Sequence, residues 1–432
     1  MSSTGELLRK LQEGEGDEAL RGLYALDGSE ASLEKGRERA VRVVRAFEAE
    51  FGARPQAALF SGPGRTEIGG NHTDHQHGRV LAAAVNLDIA AYARKTDNGR
   101  AVLKSAEYTK MDDIDISDLD MKEEEKDTSA ALLRGICARC VQLGYKVGGF
   151  EAYTITRVLK GSGLSSSAAF EVLVVTIISH LYNDDAIDPV TVAKIAQYAE
   201  NVYFGKPSGL LDQTASSVGG FTAIDFKDPE NILIEKVNFD VTAHGYALCV
   251  VDTGGNHADL TNEYALVPKE MKEVAAFFGK EFLRDVDEQE FYDKIGEVRK
   301  EAGDRAVLRA MHFFDDDRLA AQEAQALRAG DFDSFKEMVI ASGRSSFQRL
   351  QNVFATINPQ EQGLSLALAL TEKLLAGEGA WRVHGGGFAG TIQAYVPLAR
   401  LDEYRAAMEK VFGKGACYVL SVRQAGGTKV EL

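Results

Sequence analysis

Cysteine is scarce in this 432-residue chain: four residues, too few for a disulfide framework. Cys137 and Cys140 form a lone CARC, with no second pair to complete a tetrahedral zinc site. Two thiols on one helix in a reducing cytoplasm are expected instead. Long apolar runs are missing as well. The fullest, EVLVVTIISHLY and VLAAAVNLDIAAYA, fall short of the roughly 18 to 20 residues that cross a bilayer. The opening MSSTGELLRKLQEGEGDEAL lacks the apolar stretch of a signal peptide, so no membrane partner is expected. Positive charge is also in deficit, with 49 Lys and Arg against 65 Asp and Glu, a net charge of −16. That balance argues against nucleic acid as a partner. It leaves room for a locally positive pocket that takes an anionic small molecule.

What is present is a globular composition, 45% apolar and 26% charged, in a chain too long for one ordinary core. Residues 1–50 carry apolar positions at helical spacing and form a helical leader ending near Gly52. RVLAAAVNLDIAAYARK has the pattern of a buried strand, and GGFEAYTITRVL alternates like one. Residues 112–127 hold nine acids, as a solvated loop or helix face would. In IDPVTVAKIAQYAENVYFG, Asp188 caps a helix, Pro189 takes its first position and Gly205 closes it. Past residue 240 come the strand GYALCVVDT, a mostly helical stretch over 262–378, and a closing strand, helix and strand. The pattern predicts an α+β protein of two domains, 1–240 and 241–432.

Chemistry concentrates in four places. GSGLSSSAA (161–169) turns on glycines into a helix start, where backbone N–H groups and the helix dipole favour an anion. No GKS or GKT follows, so it is not a Walker A loop. On its own this segment fits a phosphate cradle or a serine-rich helix cap. HGGGFAG (384–390), between a helix and a strand, has the composition of a tight turn. SGLLDQ places Asp212 just inside a helix start, where the dipole keeps a carboxylate ionised. Glu200 falls near the C-terminal end of its helix, where the dipole is unfavourable, so either a nearby cation or solvent must offset it. Finally, GNHTDHQHG gathers His72, His75 and His77 beside Asp74, as a metal site, a sugar clamp or a polar loop would. The histidine spacings of three and two fit no helical ligand pair, and Arg65 nearby would repel a divalent ion.

Taken in order, GPGRTEIGGNHTDHQHG, KGSGLSSSAA and HGGGFAG, with GLLDQ between the last two, resemble the GHMP small-molecule kinases, and within them the galactokinases. The resemblance runs from about residue 50 to the C-terminus. It implies a ribosomal S5 domain 2-like N-terminal domain, a ferredoxin-like C-terminal domain and ATP-dependent phosphorylation of the anomeric hydroxyl of galactose. By that resemblance Asp212 and Arg65 are catalytic. Asn71, His72, Asp74, Gly209 and Tyr264 contact the sugar. Gly161, Ser162, Gly163, Leu164, Ser165, Ser166 and Ser167 bind the ATP phosphates, and Ser167 and Glu200 hold Mg2+. His75 and His77 are expected behind the site or in solvent, and a monomer is favoured.

The departures are as informative. Asn71 stands where the family usually has a Glu that contacts the sugar's O6 hydroxyl. A neutral amide there would not repel a C6 carboxylate, which makes galacturonate an alternative substrate. His75 replaces an aromatic, Leu159 a proline and Val267 an arginine, and TSAALLRGI lacks the usual adenine-side aromatics. A non-catalytic sugar and ATP sensor is the remaining alternative.

Overall fold

A computed structural model describes residues 4–431 apart from positions 27, 55, 159–162, 207 and 256–259, and only the backbone at 261. Two sheets organise the chain. The first contains β1 (Ala57–Gly69), β2 (Arg79–Lys95), β3 (Arg100–Ser105), β4 (Asp112–Asp115), β5 (Phe150–Thr156), β6 (Phe221–Asp225) and β7 (Leu233–Val237). The second contains β8 (Tyr246–Asp252), β9 (Ala380–His384), β10 (Thr391–Pro397) and β11 (Cys417–Leu420), in the order β11-β8-β10-β9. β12 (Thr428–Lys429) returns to the first sheet, whose order is β12-β1-β2-β5-β3-β4, with β6 and β7 continuing from β2.

The strand period explains the packing. Leu59, Tyr92 and Ile155 point into a cluster with Leu33, Val43 and Phe47 of the helical leader. Their neighbours Phe60, Ala91 and Ala93 join the main core with Val172, Leu173 and Ile177 of the helix Ser166–Tyr182. A strand covered on both faces needs no polar side, which is why β2 reads as a nearly unbroken apolar run. In the second sheet Cys249, Val251 and Ile392 pack with Leu368 and Met408. On its other face Leu248, Val250 and Tyr395 join the main core, so one apolar mass connects the two sheets. All four cysteines are buried and free.

Several sequence expectations are refined. The leader is three helices, Thr4–Glu13, Asp17–Tyr24 and Glu30–Phe51. The acidic stretch contains β4 and a short turn at Glu123–Glu125. The helix opened by Asp188 and Pro189 is α-helical only to Tyr198, and Ala199–Phe204 is a π turn. HGGGFAG joins two strands, β9 and β10, rather than a helix and a strand. The last apolar segment stops as a strand at Leu420, after which the chain crosses back to pair Lys429 with Phe60. No helix among the described residues is long and apolar enough to span a membrane.

Candidate active site

β1 presents Arg65, and the helix Leu211–Val218 presents Asp212 in its first turn. Arg65 Nε lies 2.6 Å from Asp212 Oδ1, and the Arg65 guanidinium also donates to the Gly163 carbonyl. The Arg65 backbone N–H donates to the Leu164 carbonyl at 3.0 Å. Ser165 is left-handed (φ 55°) and makes no capping bond. Its hydroxyl instead donates to Asp212 Oδ2 at 2.7 Å, which corrects the expectation of a serine cap at this position. Burial raises the Asp212 pKa, but the charge and hydrogen bond of Arg65, the Ser165 bond and the Lys206 charge outweigh it. The carboxyl is therefore held below its ordinary range.

Glu200 is buried in the π turn. Its Oε1 accepts from Ser167 Oγ at 2.9 Å and from Lys206 Nζ at 2.7 Å. Its Oε2 accepts from Ser208 Oγ at 2.6 Å and Gln213 Nε2 at 2.8 Å. Lys206 is thus the cation that the position of Glu200 called for. A carboxylate beside a hydroxyl is a hard-oxygen donor pair, which suits Mg2+ shared with phosphate oxygens. No group of three His, Cys, Asp or Glu side chains among the described residues could hold a metal alone.

Arg65, Ser165 to Ser167, Lys206, Asp212 and the turn after β9 surround a cleft of about 290 Å³. Three of the four motifs singled out in the sequence meet on this cleft. Gly163 and Leu164 stand at its edge through Arg65, whereas Gly161 and Ser162, with Leu159, lie outside the described residues. His384, another residue not foreseen, anchors the wall. Its Nε2 accepts from the Glu67 backbone N–H at 3.3 Å, so the proton sits on Nδ1, 2.8 Å from Thr391 Oγ1. Burial and the charges of Arg65 and Arg382 push its pKa down to about 3, leaving it neutral.

The fourth motif forms the loop between β1 and β2. His72 is left-handed (φ 60°) and donates from Nε2 to the Gly386 carbonyl at 2.9 Å. Burial, with His75 next, lowers its pKa to about 4. Tyr264 donates to the Gly387 carbonyl at 2.7 Å. Gly209 faces Asp74 so closely that a Cβ there would stand 2.7 Å from Asp74 Oδ2. His75 is exposed, with its ring 5.7 Å from that of His72, and His77 stacks on Phe282 at 3.7 Å.

Asp74 and Gly209 line a neighbouring cleft with His77; His72 and Tyr264 reach the first one only through their bonds to the glycine turn; and Asn71 lines neither. It is fully buried. Its Nδ2 donates to Glu67 Oε1 at 3.0 Å and the Gly385 carbonyl at 2.7 Å. Its Oδ1 accepts from Ser346 Oγ at 3.2 Å and Asn352 Nδ2 at 2.8 Å. With both donors and both acceptor positions occupied by protein, the amide has no capacity left for a sugar hydroxyl.

The galactokinase galactose-binding signature matches residues 45–95, which hold Arg65, His72 and Asp74. The GHMP kinases N terminal domain matches residues 131–220, which hold the phosphate loop, Glu200 and Asp212. By these two matches the chain is similar to the GHMP kinases, and within them to the galactokinases. It is 29% identical to the galactokinase of Streptomyces coelicolor over 85% of this chain and 91% of that one. It is likewise 29% identical to the human galactokinase, over 89% and 95%. Its fold is shared with Lactococcus lactis galactokinase, solved with galactose, at a TM-score of 0.76 and 24% identity over 89% of this chain and 98% of that one.

Proposed function

We propose that the cleft transfers the terminal phosphoryl group of ATP to the anomeric hydroxyl of galactose, giving galactose 1-phosphate and ADP. The observation that carries this reading is Asp212, fixed between Arg65 and Ser165 at the mouth of the phosphate loop. Phosphoryl transfer needs alignment and charge neutralisation more than covalent chemistry, and this arrangement supplies both. Asp212 orients the attacking hydroxyl. A carboxylate held below its ordinary range is a weak base, so it takes the proton late, once the new O–P bond has acidified the hydroxyl. Arg65 keeps Asp212 ionised and, through its contact with the phosphate loop, lies where the migrating group passes.

Gly163 to Ser167 would cradle the phosphates, with Gly161 and Ser162 continuing the same loop. Ser167 and Glu200 would hold Mg2+, which would neutralise phosphate charge when bound. Lys206 adds positive charge on the same side. His72, Asp74, Gly209 and Tyr264 would hold the sugar. The division of the chain near residue 240 then has a purpose, since the site gathers Arg65 and Asp212 from one part and His384 and Tyr264 from the other. A cytoplasmic setting fits the four free thiols.

The test is ADP release from purified protein with ATP, Mg2+ and a panel of galactose, galacturonate, N-acetylgalactosamine, glucose and arabinose, with the product's phosphate position read by NMR. Galactose should lead the panel and give the 1-phosphate. Preference for another sugar, or phosphate elsewhere on the ring, overturns the assignment.

A further inference from the structure

Glu67 was not among the candidate residues, yet it carries the negative charge that position 71 lacks. It lies two residues after Arg65 on β1, in regular register with β2 (Arg65 opposite Ala84, Glu67 opposite Ala82). The two side chains therefore leave the strand on the same face. Glu67 Oε1 accepts from Arg382 at 2.9 Å and from Asn71 Nδ2 at 3.0 Å. The same Asn71 amide donates to Gly385, which lines the cleft beside Arg65 and Asp212. Glu67 Oε2 has no hydrogen-bond partner among the described residues and still touches solvent. The charges acting on this side chain, after Arg382, are those of Arg65 and Asp74.

The surroundings are built to keep the carboxylate there. Arg382 is fully buried and also donates to the Ile68 carbonyl. Behind it, Glu323 fills the space left by Gly69, where any Cβ would overlap the Glu323 carboxyl. Asn71 thus acts as a bracket rather than a contact. It fixes one oxygen of Glu67 and leaves the other free.

We propose that Glu67 is the specificity-determining residue at the non-reacting end of the sugar, accepting a neutral hydroxyl there and excluding sugars that carry a carboxylate. This rests on the galactose reading above and reverses one consequence of the Asn71 substitution. The neutral amide had suggested tolerance of galacturonate, whereas Glu67, when ionised, adds a carboxylate at that end, which a carboxylate-bearing sugar meets as a like charge.

One test needs no variant. Wild-type protein is given galactose, galacturonate and galacturonamide, the uncharged isostere of galacturonate, and kcat/KM is read by ADP release. The amide should be a substrate and the acid should fall below it by about a hundredfold or more. In Glu67→Gln the acid-to-amide ratio should rise at least about tenfold, while Glu67→Asp retains the discrimination. A ratio of two sugars on one preparation is insensitive to how much of a variant is folded. Equal use of acid and amide by wild type, or an unchanged ratio in Glu67→Gln, overturns the proposal while leaving the galactose reading intact. Wild-type protein that releases no ADP with galactose overturns both.

Discussion

Two arginine–carboxylate pairs lie at the same strand, two residues apart, and their carboxyl groups are shifted in opposite directions. Asp212, with Arg65, is lowered below its ordinary range. Glu67, with Arg382, is raised from 4.5 to about 7. For both, burial is the largest influence and acts upward. The difference lies in what opposes it. Asp212 has Arg65 on one oxygen, the Ser165 hydroxyl on the other and the Lys206 charge nearby. Glu67 has Arg382 and Asn71 on a single oxygen; Arg65 lowers it as well, Asp74 raises it, and burial still prevails. An adjacent arginine therefore does not by itself decide ionisation. How many donors bind the carboxyl, and on how many of its oxygens, matters too.

The largest expected contrast between the pairs is in turnover. Asp212→Ala should lower kcat by about 10³-fold or more, because it removes the group that orients the hydroxyl and unpairs Arg65. Glu67→Gln should leave galactose turnover within about tenfold and act mainly on KM, since it keeps a hydrogen-bonding group at the far end of the sugar. Steady-state kinetics on both variants, with melting temperatures to confirm folding, would check this. Equal losses of kcat would mean that the pairs are not divided between reaction and recognition.

Stability against pH separates them next. The Glu67 pKa is higher folded than unfolded. Its neutral form favours folding fully below about 4.5, and that advantage is lost as pH rises to about 7. The difference is on the order of 3 kcal/mol at most. Asp212 runs the other way. Its contribution is present above its unfolded pKa and lost as pH falls through the lower folded value. Denaturant unfolding between pH 4 and pH 8 should show Glu67→Gln gaining on wild type as pH rises. Asp212→Asn should narrow its deficit only when the medium is acidified below the ordinary aspartate value of 3.8. A Glu67→Gln difference that stays flat across this range would place the charge of Glu67 in water.

The same contrast explains which parts of the molecule were legible in the sequence. Asp212 and Ser165 sit at glycine-marked helix starts, where local composition follows directly from backbone geometry, whereas Arg65, inside β1, was legible only through the family motif. The buried strands were visible because a fully covered strand needs no polar residues. Glu67 and His384 were not visible, since each acquires its role from a partner remote in the chain, Arg382 and Thr66; Lys206 is close to Glu200 in sequence, but the π turn between them has no sequence signal. Glu200 did carry a signal, a carboxylate at an unfavourable helix end, but it named the need for a cation and not the residue. Asn71 shows the reverse case. Its position in a sugar-binding motif suggested a substrate contact, and only the four hydrogen bonds around it reveal that the amide is fully occupied. The return of β12 to the first sheet was equally hidden, because two residues of strand carry almost no periodicity.

The smallest expected effect isolates donor number itself. Ser165→Ala removes one neutral hydrogen bond from Asp212 and leaves the Arg65 pair in place. A single such bond contributes about 1 kcal/mol, so turnover should fall by less than about tenfold. The acid limb of the kcat/KM profile should move upward by less than about one pH unit. The left-handed backbone at Ser165 is not relieved by alanine, so the change reads the hydroxyl rather than the turn. If the acid limb stayed fixed while turnover fell, Ser165 would act on the nucleotide rather than on Asp212. The low pKa would then rest on Arg65 and Lys206 alone, and the contrast with Glu67 on the nearby Lys206 charge rather than on a second donor.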